Sequence, residues 1–323
     1  MSNTATTKKV AKKNSGPRLA TFKKHFIRDW QLYLLILLPM VWLIIWKYVP
    51  MYGIQISFRN YRARDGITGS EWVGLKHFER FLTNPKFWTY LGNTLAISLY
   101  SLATFPLPIL LALVINTITR EKFKRVVQTI SYLPHFISLV IMIAILNKVF
   151  SPINGIYGAI CQVLNVPMSD RFDVRSSARA FRHLYIWSGV WQNIGWNTII
   201  YLAALSGVSN ELHEAATIDG ATRWKRVVHI DFPCVTSTVG IMLILRCGHI
   251  MSVGFEKAFL MQNTMNIETS EIVSTYVYKQ GLQKSDFSYG TAISLFDSVC
   301  NLILLLTVNW LSKKASEGDV SLL

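Results

Sequence analysis

Six largely apolar stretches recur along this chain, at positions 30–50, 89–116, 126–150, 183–207, 234–260 and 289–311. Each is long enough to cross the hydrocarbon of a bilayer as a helix, which takes about 20 residues at ~1.5 Å of rise apiece. A helix satisfies every peptide N–H and C=O without water, so the predicted fold class is an all-α membrane protein with six transmembrane helices. The first stretch, Trp30 to Pro50, exceeds the apolar core of a signal peptide. It also lacks a small-residue cleavage site and is read as a retained first span.

Composition agrees. Apolar residues make up 51% of the chain and charged residues 16%, more apolar surface than a soluble core of this length uses. A net charge of +15 would suit nucleic acid, but much of it sits in residues 1–29 and in short loops, as membrane topology demands. No nucleic-acid partner is expected. The tail, with Lys8, Lys9, Lys12, Lys13, Arg18, Lys23, Lys24 and Arg28, holds too few large apolar residues to pack and belongs on the cytoplasmic side. Residues 30–323 form the membrane domain, and an even number of spans puts both termini in the cytoplasm.

The connections 59–86, 151–182 and 261–288 then lie outside, the first long enough for a small cap. Their arginines run against the positive-inside rule, which long, partly folded outer segments tolerate. Cys161, Cys234, Cys247 and Cys300 show no Cys-x-x-Cys spacing, so they read as small hydrophobes rather than metal ligands. No phosphate-binding Gly-rich loop, Gly-x-Ser-x-Gly or His-Glu-x-x-His occurs. The chain is expected to be no enzyme and to carry no cofactor.

The polar connection 208–233 stands apart. Glu211 and Glu214 fall in a first helical turn, where carboxylates complement free N–H groups. Ala215 and Ala216 leave a thin helical face, and Asp219-Gly220 gives the freedom to end that helix. A basic segment from Arg223 leads to Ile230 and Pro233, which suits a helix entrance. The spacing Glu214-Ala215-Ala216, three residues, Gly220, nine residues, Ile230, one residue, then Phe232-Pro233 resembles the cytoplasmic coupling loop of membrane subunits of binding-protein-dependent ABC importers. Phe232 replaces the family's Leu and keeps an apolar anchor. Phe123-Lys124-Arg125, Gln128-Thr129, Tyr132 to Ser138 and Gly254-Phe255-Glu256 resemble the carbohydrate branch of these permeases.

The resemblance implies the type I importer permease fold in a bacterial inner membrane. It also implies a second permease subunit, two ABC ATPase subunits that hold ATP and Mg and receive coupling helices, and an extracellular solute-binding protein. The substrate implied is an oligosaccharide, with acidic polysaccharide fragments conceivable. A non-sugar solute uses the same machinery, and an ion-coupled carrier would leave the Glu-Ala-Ala loop unexplained.

Ionisable residues inside a bilayer usually face a cavity or a partner. On an ideal helix Met242, Arg246, His249 and Glu256 share a face. Gly290, Ser294, Asp297 and Asn301 form a stripe on the last span. Arg246 and Asp297 both fall ~20 Å from the cytoplasmic ends by the helical rise, so an ion pair between them competes with a role for Arg246 in the pathway. On the fourth span Gln192, Asn193, Trp196 and Asn197 offer an aromatic face with amides, suited either to a saccharide path or to interhelical bonds. Gly189 and Gly195 thin that helix. On the second span Asn93 or Thr94, Ser98, Ser101 and Thr104 recur at helical spacing.

Overall fold

The computed structural model describes residues 28–315, apart from the side chains of Ser312 and Ala315. The basic tail expected over 1–29 therefore lies outside the described residues up to position 27. The chain divides into two compact units between Gln55 and Ile56. In the first, α1 (Trp30–Leu43) continues through a π turn at Ile44–Tyr48. Its side chains are exposed on every side, from Trp30 through Leu38 to Trp46. A helix apolar all round is one built to lie in lipid.

The second unit begins with a small cap. Strands β1 (Arg59–Arg62) and β2 (Ser70–Trp72) pair antiparallel, Arg59 opposite Trp72. Helix α2 (Lys76–Leu82) follows, then the long run of α3 (Phe87–Ala103) and α4 (Pro106–Asn116). Pro106 and Pro108 have no N–H to donate, and the run changes to tighter three-residue bonds there, Phe105 N–H to the Leu102 carbonyl at 2.9 Å. Helices α5 (Glu121–Tyr132) and α6 (Leu139–Val149) come next, then α7 (Ile156–Val163) and α8 (Ala178–Leu205). The chain ends with α9 (Asn210–Ile218), α10 (Phe232–Cys247), α11 (Phe255–Met261), α12 (Val273–Val277) and α13 (Phe287–Ala315).

Among the described residues four helical runs are long and apolar enough to cross a membrane: Trp30–Phe58, Phe87–Asn116, Arg223–Cys247 and Phe287–Leu311. Two expected spans are not continuous. The third, 126–150, bends by 99° between Glu121–Phe136 and Leu139–Val149, because Pro134 lacks an N–H and Ser138 starts a new helix by capping Ile141 N. The fifth, 234–260, stops at Cys247 and resumes at Phe255 as α11. The fourth is the 28-residue α8, whose Arg179, Arg182, Gln192, Asn193 and Asn197 make it the least apolar of the six.

Three apolar clusters hold the second unit together. Phe81, Tyr276 and Tyr289 join the cap and the 261–286 hairpin to the starts of α3 and α13. Arg80 adds an ion pair with Asp286 at 2.7 Å. Ile109, Tyr201 and Val235 bind α4, α8 and α10, while Ile97, Phe181, Tyr185 and Ile272 bind α3 and α8 to the hairpin. One close crossing sets the spacing of α5 and α8: a Cβ on Gly195 would lie 2.1 Å from the Ser131 carbonyl oxygen. A Cβ on Gly92 would meet nothing within 4 Å. Gly195→Ala is therefore expected to lower the unfolding temperature of the detergent-solubilised protein by several degrees. Gly92→Ala should leave it unchanged or raise it slightly. Equal melting of the two variants would show that the crossing does not limit stability.

Candidate functional site

The 208–233 connection forms the capped helix read from its sequence. Ser209 Oγ accepts from Glu211 N at 3.2 Å and opens α9. At its other end Gly220 takes φ +74°, the left-handed region that costs a residue with a Cβ. Gly220 N–H reaches the Thr217 carbonyl at 3.1 Å and Ala221 N–H reaches that of Ala216 at 2.8 Å. That pair of bonds closes the helix end and turns the chain back. Glu211, Glu214, Ala215 and Asp219 are exposed, and Ile218 is 87% exposed. The loop thus presents one charged and apolar face with no partner in its own chain among the described residues.

The opposite face is tied down. Asp231 is buried in a π turn at Val227–Asp231, just before Pro233. Its Oδ1 lies 3.2 Å from His213 Nε2 on α9 and accepts from Asn116 Nδ2, at the end of α4, at 3.3 Å. Arg226 donates to Thr217 Oγ1 at 2.8 Å, joining the two limbs of the loop. Ile230 and Pro233 keep their motif places on the limb leading into α10, Pro233 at its first turn where no N–H is needed. Asp231, His213 and Asn116 were not singled out by sequence. The cue available was a carboxylate at the variable position between Ile230 and Phe232.

A second feature lies between α3, α8 and α10, a cavity of about 880 Å³, within the range of sites that enclose sizeable ligands. Asn193, Trp196, Asn197, Arg246 and His249 line it, as do Ser98, Ser101, Thr104 and Lys257. Trp196 stacks on His135 with centroids 4.3 Å apart and planes 9° apart, leaving it 45% exposed. Asn193 Oδ1 meets His135 Nδ1 at 2.9 Å. The bent segment around Pro134 is thereby held against α8, and Asn193 is tied on its other side too, its Nδ2 donating to the Gly189 carbonyl at 3.1 Å, while Trp196 and the exposed Asn197 line the cavity.

Other expected site residues fall elsewhere. Gln192 is buried and donates to the Ile137 carbonyl at 2.8 Å, so it is an interhelical tie rather than a lining group. Arg246 and Asp297 form no ion pair: the guanidinium donates to Ser101 Oγ instead. Asp297 has Asn301 Nδ2 at 3.5 Å and a buried Oδ1 without a partner. Glu256 does not share a face with Arg246, because the helix ends at Cys247 before reaching it. It is exposed on α11 and, like Asp297, does not line the cavity. Lys257 does line it, and its charge within an expected span was the same signal that picked out Arg246.

A family model described as the binding-protein-dependent transport system inner membrane component matches residues 104–317. The chain belongs to that family. This inner membrane component is 43% identical over 312 residues to the polygalacturonan/rhamnogalacturonan transport system permease protein YteP of Bacillus subtilis, covering 96% of this chain and 95% of the relative. It is 38% identical over 311 residues to protein LplB of the same organism, covering 94% and 97%. Among solved structures it is similar to a bacterial alginate ABC transporter in complex with an alginate pentasaccharide-bound periplasmic protein. The TM-score there is 0.82 at 35% identity, over 93% of this chain and 99% of that one. The resemblance read from the Glu214–Pro233 spacing is borne out, and with it the type I importer permease fold.

In this inner membrane component the tie through Asp231 makes a measurable demand. Asp231→Ala removes the acceptor shared by His213 and Asn116, so amide hydrogen exchange across 210–218 is expected to accelerate at least tenfold, with no change across 287–311. Unchanged exchange in both segments would mean that the helix caps alone hold the loop.

Proposed function

We propose that this chain is one of two membrane-spanning subunits of an ATP-driven importer of oligosaccharides, including acidic polysaccharide fragments. An extracellular solute-binding protein delivers the substrate, and a pair of ATPase subunits on the cytoplasmic side drives transport. One observation carries the reading. The exposed loop 208–233 joins the two helices, α8 and α10, that supply Asn193, Trp196, Asn197 and Arg246 to the cavity, with His249 just past the end of α10. A force applied to the loop is therefore applied to the walls of the cavity.

The composition of those walls supports a saccharide. The Trp196 indole suits the C–H face of a pyranose, while the exposed Asn197 has an amide group for hydroxyls. Arg246 brings a fork of donors that matches a carboxylate. The relative YteP and the similar alginate transporter structures carry the names of acidic polysaccharides, which supports the same class here. The chain has no nucleotide-binding motif, so ATP and Mg belong to the partner ATPases, and the permease carries only the mechanical half of the cycle.

Glu214, Ala215 and Ile218 supply the docking face on this reading. Glu214 makes a charged contact in the ATPase cleft, Ala215 and Ala216 allow close approach, and Asp219-Gly220 sets the angle at which the loop turns back. Closure of the ATPases on ATP draws the loop inward and switches the cavity from one side of the membrane to the other. Both termini lie in the cytoplasm with the loop, and the 59–86 cap and the 261–288 hairpin face the delivery protein.

Glu214→Lys is expected to leave the assembled complex intact in the membrane. Uptake of a radiolabelled oligosaccharide by proteoliposomes should fall at least tenfold per ATP hydrolysed. Full uptake per ATP in that variant would remove the role assigned to the loop.

A further inference from the structure

Lys257 stands on α11, the short helix that follows the break after Cys247, and its side chain runs back into the cavity. The residue is 9% exposed, and its ammonium donates to the Tyr185 carbonyl at 2.7 Å and sits 4.7 Å from the centre of the Tyr185 ring. Among the described residues it has no carboxylate partner. An ammonium has three donors, and one backbone acceptor satisfies one of them. A buried cation without a counter-ion is costly, and an unbranched apolar side chain would pack α11 against α8 without that cost. The charge therefore needs an account beyond packing.

The surroundings give one. Among the described residues the other basic ones lining the cavity are Arg246 and His249, and no Asp or Glu lines it. Glu256, the neighbour of Lys257 in sequence, is exposed and outside it. Room for the ammonium is built into the facing helix: a Cβ on Gly189 would lie 3.0 Å from Lys257 Nζ. Tyr185 holds the approach from both ends, since its hydroxyl donates to the Gly254 carbonyl at 3.3 Å while its own carbonyl receives Lys257.

We infer that Lys257 is a charge-selecting residue of the translocation path, a buried ammonium that receives a carboxylate of the passing oligosaccharide and favours uronate units over neutral ones. The assignment rests on the saccharide reading above. The role is electrostatic: Arg246 and Lys257 enter the cavity from different helices, so a chain of uronates meets a cation on more than one wall, and no acid among this chain's described lining residues competes for them.

The test uses the full importer in proteoliposomes, with its delivery protein and ATP, offered a galacturonate trimer and the same trimer with its carboxyls methyl-esterified. The same delivery protein serves every variant, so its own preference cancels when variants are compared. Lys257→Met and Lys257→Gln are expected to reduce the preference in kcat/KM for the free acid at least tenfold. Lys257→Arg should retain it within threefold. The Kd of the free-acid trimer for the detergent-solubilised permease pair should rise at least tenfold in the two neutral variants. Unchanged preference and Kd in either neutral variant would overturn the assignment while leaving the saccharide reading intact. So would assembly of Lys257→Arg alone, which would mark Lys257 as a structural pin between α8 and α11. A wild-type importer that moves no saccharide, acidic or neutral, would refute the saccharide reading and this assignment together.

Discussion

Peptide groups have no water to bond inside a bilayer, so each place where a helix breaks there must find its partners in side chains. The second unit of this permease is arranged around that demand. Where the fifth span breaks after Cys247, Ser98 on α3 donates to the Ile250 carbonyl and Asn301 on α13 accepts from Met251 N at 3.0 Å. Tyr185 on α8 donates to the Gly254 carbonyl. Where the third span bends, Gln192 answers the Ile137 carbonyl at 2.8 Å, and where prolines interrupt the second, Thr198 donates to the Pro108 carbonyl at 3.2 Å. Three helices, α3, α8 and α13, thus answer interruptions in three spans, and α3 and α8 also line the cavity.

That convergence explains why the polar stripes were only half legible in the sequence. A polar residue in an apolar span announces that something must be bonded, without saying whether it is substrate, a neighbouring helix or broken backbone. Ser98, Gln192 and Asn301 satisfy backbone. Asn93 bonds the Glu268 and Glu271 carbonyls of the hairpin at 2.8 and 3.0 Å. Asn193, Trp196, Asn197, Arg246 and His249 reach the cavity. The helical-face argument that linked Arg246 to Glu256 failed for a specific reason: it carried one helix through Gly248–Gly254, where the structure has none. Lys257 enters the cavity because α11 starts anew with its own direction.

The 208–233 loop was legible for the opposite reason. Its shape is fixed by bonds between residues a few positions apart, Ser209 to Glu211 and Gly220 and Ala221 back to Thr217 and Ala216. Local chemistry of that kind is written in order along the chain. What spacing could not give was the anchorage, because Asn116 and Asp231 are 115 residues apart. Only folding brings the end of α4 to the start of α10 and sets His213 between them.

Anchorage and cavity together constrain how movement can pass through the subunit. Asp231 binds the inward side of α9 to α4 and stands at the foot of α10, so the loop does not pivot freely on Gly207 or Gly220 alone. Displacing it must carry α10 and the end of α4 along, or break a buried carboxylate's bonds at a cost of order 1–3 kcal/mol. On the proposed reading, the first outcome is useful transport and the second is slippage, in which ATP is spent while the cavity stays as it was. The far end of α10 carries Arg246, bonded to Ser101 on α3, and then the break. A helix that ends there can tilt as a lever about its packed part, here Val235, Val239 and Met242 against Ile109 and Tyr201. On the same reading, the break after Cys247 separates the tilt of α10 from α11, which Lys257 ties to the Tyr185 carbonyl of α8.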